Sequence, residues 1–120
     1  MLIRYKKIFE KIAMGLLSFM PEEKDLKRLQ QTVKQYETDE NWYLFLWKAN
    51  EDFIGLIGFV QTDEKTMVVQ HITVNPSHRS QGIGKQMVKS VQEMFPDKQF
   101  VPTDTIASFF QHCNKTEGSA

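Results

Sequence analysis

Apolar residues recur along this chain with two different periods, and each change of period marks a new element. Residues 2–5 are short and partly apolar, an expected edge strand. Ile8, Ile12 and Leu16 make one stripe, with Phe9, Ala13 and Leu17 beside it, which predicts a helix over residues 7–19. Pro21 disfavours helix at the residue before it and should end the element there. A second helix is expected over residues 23–37, with Leu26, Leu29, Val33 and Tyr36 on one face. Lys24, Lys27, Gln30 and Lys34 fall largely opposite. Residues 42–48 (WYLFLWK) are apolar on both alternating faces, as in a strand covered on both sides. After a turn at residues 49–52, a second strand runs back over 53–61 and carries Gly55 and Gly58. Glycine inside a strand marks a bulge or the close approach of another group. A turn at 62–65 leads into the central strand, MVVQHITV (67–74), so the three form an antiparallel meander.

The period then changes again. Ile83, Met87, Val91 and Met94 are spaced by four, four and three, one buried helix face. Pro96-Asp97 breaks the chain, and residues 99–101 read as a short strand. Thr103 or Asp104 can cap a last helix through Cys113, with Ile106, Phe109 and Phe110 as its apolar members. The tail from Asn114 is polar. This order gives one α/β (α+β) domain over residues 1–114, a mixed, mostly antiparallel sheet flanked by helices, followed by a polar segment at 115–120.

Between the central strand and its helix lies Asn75-Pro76-Ser77-His78, then Arg79-Ser80-Gln81-Gly82-Ile83-Gly84-Lys85. A strand, a glycine-rich loop and a helix in that order make an anion site. Helix N-termini carry unpaired N–H groups and partial positive charge, and glycine lets a ligand approach the backbone. Arg79 and Lys85 add two full charges. The dinucleotide fingerprint fails here, because its third glycine position holds Met87. The P-loop fails as well, since Gly84-Lys85 is followed by Gln86 and position 79 is arginine.

Arg79-Ser80-Gln81-Gly82-Ile83-Gly84 resembles motif A of the Gcn5-related N-acetyltransferase (GNAT) family, Gln/Arg-x-x-Gly-x-Gly/Ala, at every fixed position. The preceding Val74-x-Pro76-x-x-Arg79 is similar to the way that family leaves its fourth strand. The chain as a whole is also similar to short family members of bacterial riboflavin operons. The resemblance implies the GNAT fold and acetyl-CoA (coenzyme A) as cosubstrate. It implies that the backbone of Arg79, Ser80, Gln81, Gly82, Ile83 and Gly84, with Lys85 beside them, holds the pyrophosphate. The main chain of Ile72, Thr73 and Val74 would pair with pantetheine like an added strand, one N–H polarising the thioester carbonyl. The implied activity is transfer of acetyl to a primary amine in a ternary complex. Family members usually add two more strands beyond the last helix. Here the acceptor side is expected either open or completed by a second copy of the chain.

The family's last helix commonly supplies a tyrosine as proton donor, and alignment of Phe109-Phe110 on its Phe-Tyr puts Phe110 at that position and Thr103 at the family's asparagine. Phenylalanine donates no proton, and general acid–base help is worth about 10²–10⁴ in rate. A slow enzyme, or an acyl-CoA-binding regulatory module tied to riboflavin metabolism, therefore stands beside the ordinary transferase. His71, on the central strand, is the candidate base, since only histidine has an ordinary pKa near neutrality. A histidine merely packed on one sheet face is the plain alternative. His78 sits beside the expected phosphates and reads more readily as solvated. His112 and Cys113 lack metal-ligand spacing, so no metal is expected, and Cys113 reads as a buried thiol. Trp42, Trp47, Phe53 and Phe59 are of the type that stacks on a ring ligand such as a flavin, but alternating strand aromatics read as core.

Composition adds limits. In 120 residues, 15 basic side chains balance 15 acidic ones, so no global field recruits nucleic acid or an anionic membrane. Residues 12–20 are uncharged but too few to span a bilayer, and no small-residue cleavage site follows. A single cysteine excludes an internal disulfide and suits a cytoplasmic location.

Overall fold

The computed structural model describes residues 1–20, 25–78, 82–103 and 106–107. Five strands lie side by side in chain order: β1 (Leu2–Arg4), β2 (Trp42–Ala49), β3 (Asp52–Gln61), β4 (Thr66–Val74) and β5 (Gln99–Pro102). The first four are antiparallel to their neighbours, whereas β5 is parallel to β4. A parallel pair needs a crossover, and helix α3 (Ile83–Met94) supplies it. Helices α1 (Glu10–Leu17) and α2 (Leu26–Thr38) precede the meander. The sheet is thus mixed and mostly antiparallel, as the alternating patterns predict.

The two strand glycines mark where helices press on the sheet. A Cβ at Gly55 would lie 3.1 Å from Met87 Sδ and 3.4 Å from Ile83 Cγ2, both on α3. A Cβ at Gly58 would overlap Tyr36 Oη and sit 2.5 Å from its Cζ, on α2. Residues three apart on a strand point to opposite faces, so α3 and α2 cover opposite sides of β3. Between them Phe59 is fully buried, with Tyr43 stacked at 5.3 Å and Phe95 and Phe100 edge-on at 5.8 and 5.2 Å. Trp42, Trp47 and Phe53 pack on the same core, so these aromatics are structural.

Two helical expectations need correction. Residues 7–19 are not one helix: Lys7–Phe9 winds as a 3-10 turn, and α1 begins only at Glu10. Three residues per turn instead of 3.6 shifts the phase. Ile8 is consequently 81% exposed, and the buried line is Ala13, Leu16 and Leu17, continued by Met20. The helix stops at Leu17, where Ser18 Oγ donates to the Gly15 carbonyl at 2.6 Å. The second helix starts at Leu26 because Asp25 caps it, its carboxylate accepting from Lys27 N–H at 3.2 Å. Leu29, Val33 and Tyr36 are buried as expected, while Leu26 in the first turn is 61% exposed.

Among the described residues, no helix is long and apolar enough to cross a membrane. At the end of β5, Ile106 is buried and its N–H donates to the Thr103 carbonyl at 3.1 Å. Phe109, Phe110, His112 and Cys113 lie outside the described residues.

Candidate acyl-CoA site at the divided strand

β4 consists of two unlike halves. From Thr66 to Val69 it pairs with β3 on one side and with β5 on the other, and its burial alternates. The parallel ladder reaches its last pair at Val69 and Pro102. Proline has no N–H to donate, and the Thr103 N–H makes the final contact to the Val69 carbonyl at 3.2 Å. In the same place the register with β3 slips: Gly58 pairs with His71, but Phe59 pairs with Val69. Gln70 is therefore an extra residue, a β-bulge that turns the strand.

Beyond the bulge, His71, Ile72, Thr73 and Val74 are all buried. The Asn75 N–H donates to the Ile54 carbonyl at 2.7 Å, so residue 75 faces β3. Alternation by two gives the main chains of Thr73 and His71 the same direction, and turns those of Ile72 and Val74 toward the side beyond the end of β5. An extended ligand placed there would run beside the backbone of Ile72, in the geometry of an added strand. Thr103, at the point of divergence, has a buried Oγ1 with no hydrogen-bond partner among the described residues.

The loop that follows is held by Asn75, whose side chain accepts from Ser77 N–H at 3.0 Å and whose carbonyl accepts from His78 N–H at 2.8 Å. Residues Pro76–His78 form a 3-10 turn. His78 Nδ1 is buried without a partner among the described residues, so this ring is not simply solvated as its loop position predicts. Gly82 caps α3 at φ +74°, a left-handed conformation that favours glycine, and its exposed Cα faces open space. Gly82 offers α3 no capping side chain and its first turn has no acidic residue, so its leading N–H groups and partial positive charge suit an anion. Lys85 is half-buried, while Ile83 and Gly84 are buried against the sheet. Arg79, Ser80 and Gln81 lie outside the described residues. The open space at Gly82 and the two orphaned polar atoms, Thr103 Oγ1 and His78 Nδ1, fit a ligand with phosphate at one end and amides at the other.

On the α2 side of the sheet, sequence reasoning missed one residue. Tyr36, read only as part of an apolar helix face, has its hydroxyl 2.6 Å from His71 Nδ1. Both side chains are buried, at 6% and 8% exposure. No local spacing joins positions 36 and 71; the signal was Gly58, which the close approach of Tyr36 requires.

The model of the acetyltransferase (GNAT) family matches residues 10–108. An uncharacterized N-acetyltransferase of Bacillus methanolicus, from the lysA 3′ region, is 61% identical over 119 residues, 99% of each chain. This chain belongs to the GNAT acetyltransferase family. Among solved structures, the aminoglycoside N-acetyltransferase AAC(6′)-Iy in complex with CoA superposes with a TM-score of 0.79 at 15% identity, covering 98% of this chain and 86% of that one. A GNAT family acetyltransferase from Elizabethkingia anophelis with acetyl-CoA bound gives 0.72 at 22% identity, covering 98% and 73%. The GNAT fold expected from the sequence is therefore the fold observed, and CoA or acetyl-CoA is the cosubstrate bound by these structural neighbours.

Proposed function

We propose that this GNAT protein is an acetyl-CoA-dependent N-acetyltransferase whose acceptor is a primary amine, acting by direct attack in a ternary complex. The observation that carries the reading is the coincidence, at one end of β4, of a bulge, the end of β5 and an α3 N-terminus whose cap, Gly82, has no side chain. Acetyl-CoA supplies an acyl group activated as a thioester. The backbone from Arg79 to Gly84, with Lys85, binds the pyrophosphate. The main chain along Ile72, Thr73 and Val74 orients the pantetheine arm and polarises the thioester carbonyl. Thr103 Oγ1 and His78 Nδ1 gain partners when the ligand is present. His71 takes the proton released by the attacking amine. A cytoplasmic location agrees with the lone cysteine.

A second reading is favoured by Phe110, which stands where the family places its tyrosine acid. In it the protein binds acyl-CoA without fast turnover, as a regulatory module associated with riboflavin metabolism; that association rests on the resemblance alone. Calorimetric titration with acetyl-CoA, followed in the same sample by thiol release with a panel of amines, separates the two. Binding with amine-dependent release supports the transferase, and a Phe110→Tyr variant should then turn over faster at unchanged CoA affinity. Binding without release from any amine favours the module. Absence of binding refutes both.

A further inference from the structure

The outer face of α1 is apolar where water favours polar side chains. Ile12 and Gly15 are exposed on the helix, Ile8 precedes Ile12 by four residues and Phe19 follows Gly15 by four. Such spacings align positions along one helix face, the pattern of a seam between two helices. The 3-10 turn at Lys7–Phe9 leaves Ile8 81% exposed, and Ile12 and Phe19 are each 38% exposed. This line is separate from the buried one of Ala13, Leu16, Leu17 and Met20. Gly15 stands in its middle. Glycine weakens a helix interior, and nothing within the chain requires it here, since a Cβ would meet no atom within 4 Å. A second helix crossing there does require it, because approach closer than the usual interaxial distance of about 8–10 Å needs a position without a side chain.

We infer that this line is the interface of a homodimer, in which a second copy lays its own α1 antiparallel across Gly15. A two-fold axis at Gly15 makes the surface self-complementary and seats Ile12 of each chain beside Phe19 of the other. Charge sets the direction. Lys11 is exposed next to the line, in the N-terminal half of α1, whereas the last turn holds no basic residue. The carbonyls of that last turn are bonded to the amides of Ser18, Phe19 and Met20, yet the helix end keeps a partial negative charge. Antiparallel copies bring each Lys11 to the other's C-terminal turn and hold the two lysines about 12 Å apart along the axis. Parallel copies would set lysine against lysine and carbonyl end against carbonyl end. A lipid surface is the other partner for an apolar line beside a lysine. Glycine at the centre adds nothing to insertion in a membrane, whereas it is what a crossing helix needs, so the second copy is favoured.

Sedimentation equilibrium of the whole chain, from about 1 µM to about 1 mM as a small two-helix interface calls for, reads the association directly. The mass should double from that of one chain as concentration rises. Ile12→Glu sets a charge on the line and should raise the dissociation constant at least about tenfold, with the circular dichroism of the dilute monomer unchanged. Gly15→Ala should give two effects of opposite sign. Alanine favours the helix in the single chain, so dilute protein should unfold at a higher temperature, while the dimer dissociates at least about tenfold more readily. Lys11→Gln should weaken the dimer severalfold and reduce its dependence on salt. A protein that keeps the mass of one chain throughout overturns the inference, and so does a dimer that Ile12→Glu leaves intact. A dimer strengthened by Gly15→Ala overturns the crossing at that residue. Co-sedimentation of a monomeric protein with phosphatidylglycerol vesicles, abolished by Ile12→Glu, would assign the line to a membrane instead.

Discussion

Gly55 and Gly58 lie three residues apart on one strand and perform the same service on opposite faces, yet they admit different chemistry. At Gly55 the sheet accepts the thioether end of Met87 and a methyl group of Ile83, a flexible apolar contact that anchors the crossover helix. At Gly58 it accepts a rigid phenol whose hydroxyl reaches across to a histidine on the next strand. One face is built to hold α3, and hence the loop before it, in register with the sheet. The other is built to hold a polar pair beside the bulge. The divided strand β4 serves both, with Ile72 and Val74 on the α3 face and His71 and Thr73 on the α2 face.

The sharpest way to break this contrast is Gly58→Ala. A Cβ there overlaps a rigid ring bonded to a neighbour, so Tyr36 must leave its site, and urea unfolding should show a loss of roughly 3 kcal/mol. The matching Gly55→Ala asks only the end of Met87 to move by a few tenths of an ångström, and should change stability by less than about 1 kcal/mol. Equal losses at the two positions would remove the distinction between the faces. On the ligand side, Gly82→Asp puts a carboxylate at the open N-terminus of α3 in a left-handed conformation. It should weaken acetyl-CoA binding at least tenfold in a calorimetric titration, with a smaller stability loss of about 1 kcal/mol from backbone strain. Unchanged affinity would remove the loop from the site.

The smallest effect lies far from either face. The Asp63 carboxylate is held below its usual range by the backbone N–H of Lys65, at 2.8 Å, and then by the Thr66 side chain. A depressed carboxylate adds stability above its unfolded pKa and loses it as pH falls. Asp63→Asn should therefore make stability slightly less dependent on pH below about 4, as followed by thermal unfolding across an acid series.

Most of the fold was legible because periodicity reports burial directly. The meander, the crossover helix and β5 all appear where the alternation and the four-four-three spacing put them. The bulge was written in the sequence but passed unread. Apolar side chains occupy the odd positions Met67 and Val69, then the even positions Ile72 and Val74, and that change of parity requires an extra residue. The error at Ile8 arose because a helical stripe does not distinguish a 3-10 turn from the first turn of an α-helix. Of the site, the glycine loop was visible because its function lies in backbone geometry that glycine itself encodes. The Tyr36–His71 contact was not, since it joins α2 to β4 across 35 residues. Only a glycine on a third element recorded it.

The central claim, that acetyl-CoA lies along the second half of β4 and ends at the α3 N-terminus, is tested most directly by amide NMR during a titration with acetyl-CoA. The account predicts saturable shifts concentrated at residues 72–74, 82–85 and 103, with β1 and β2 unmoved. Shifts confined to other elements, or none at all, would contradict it.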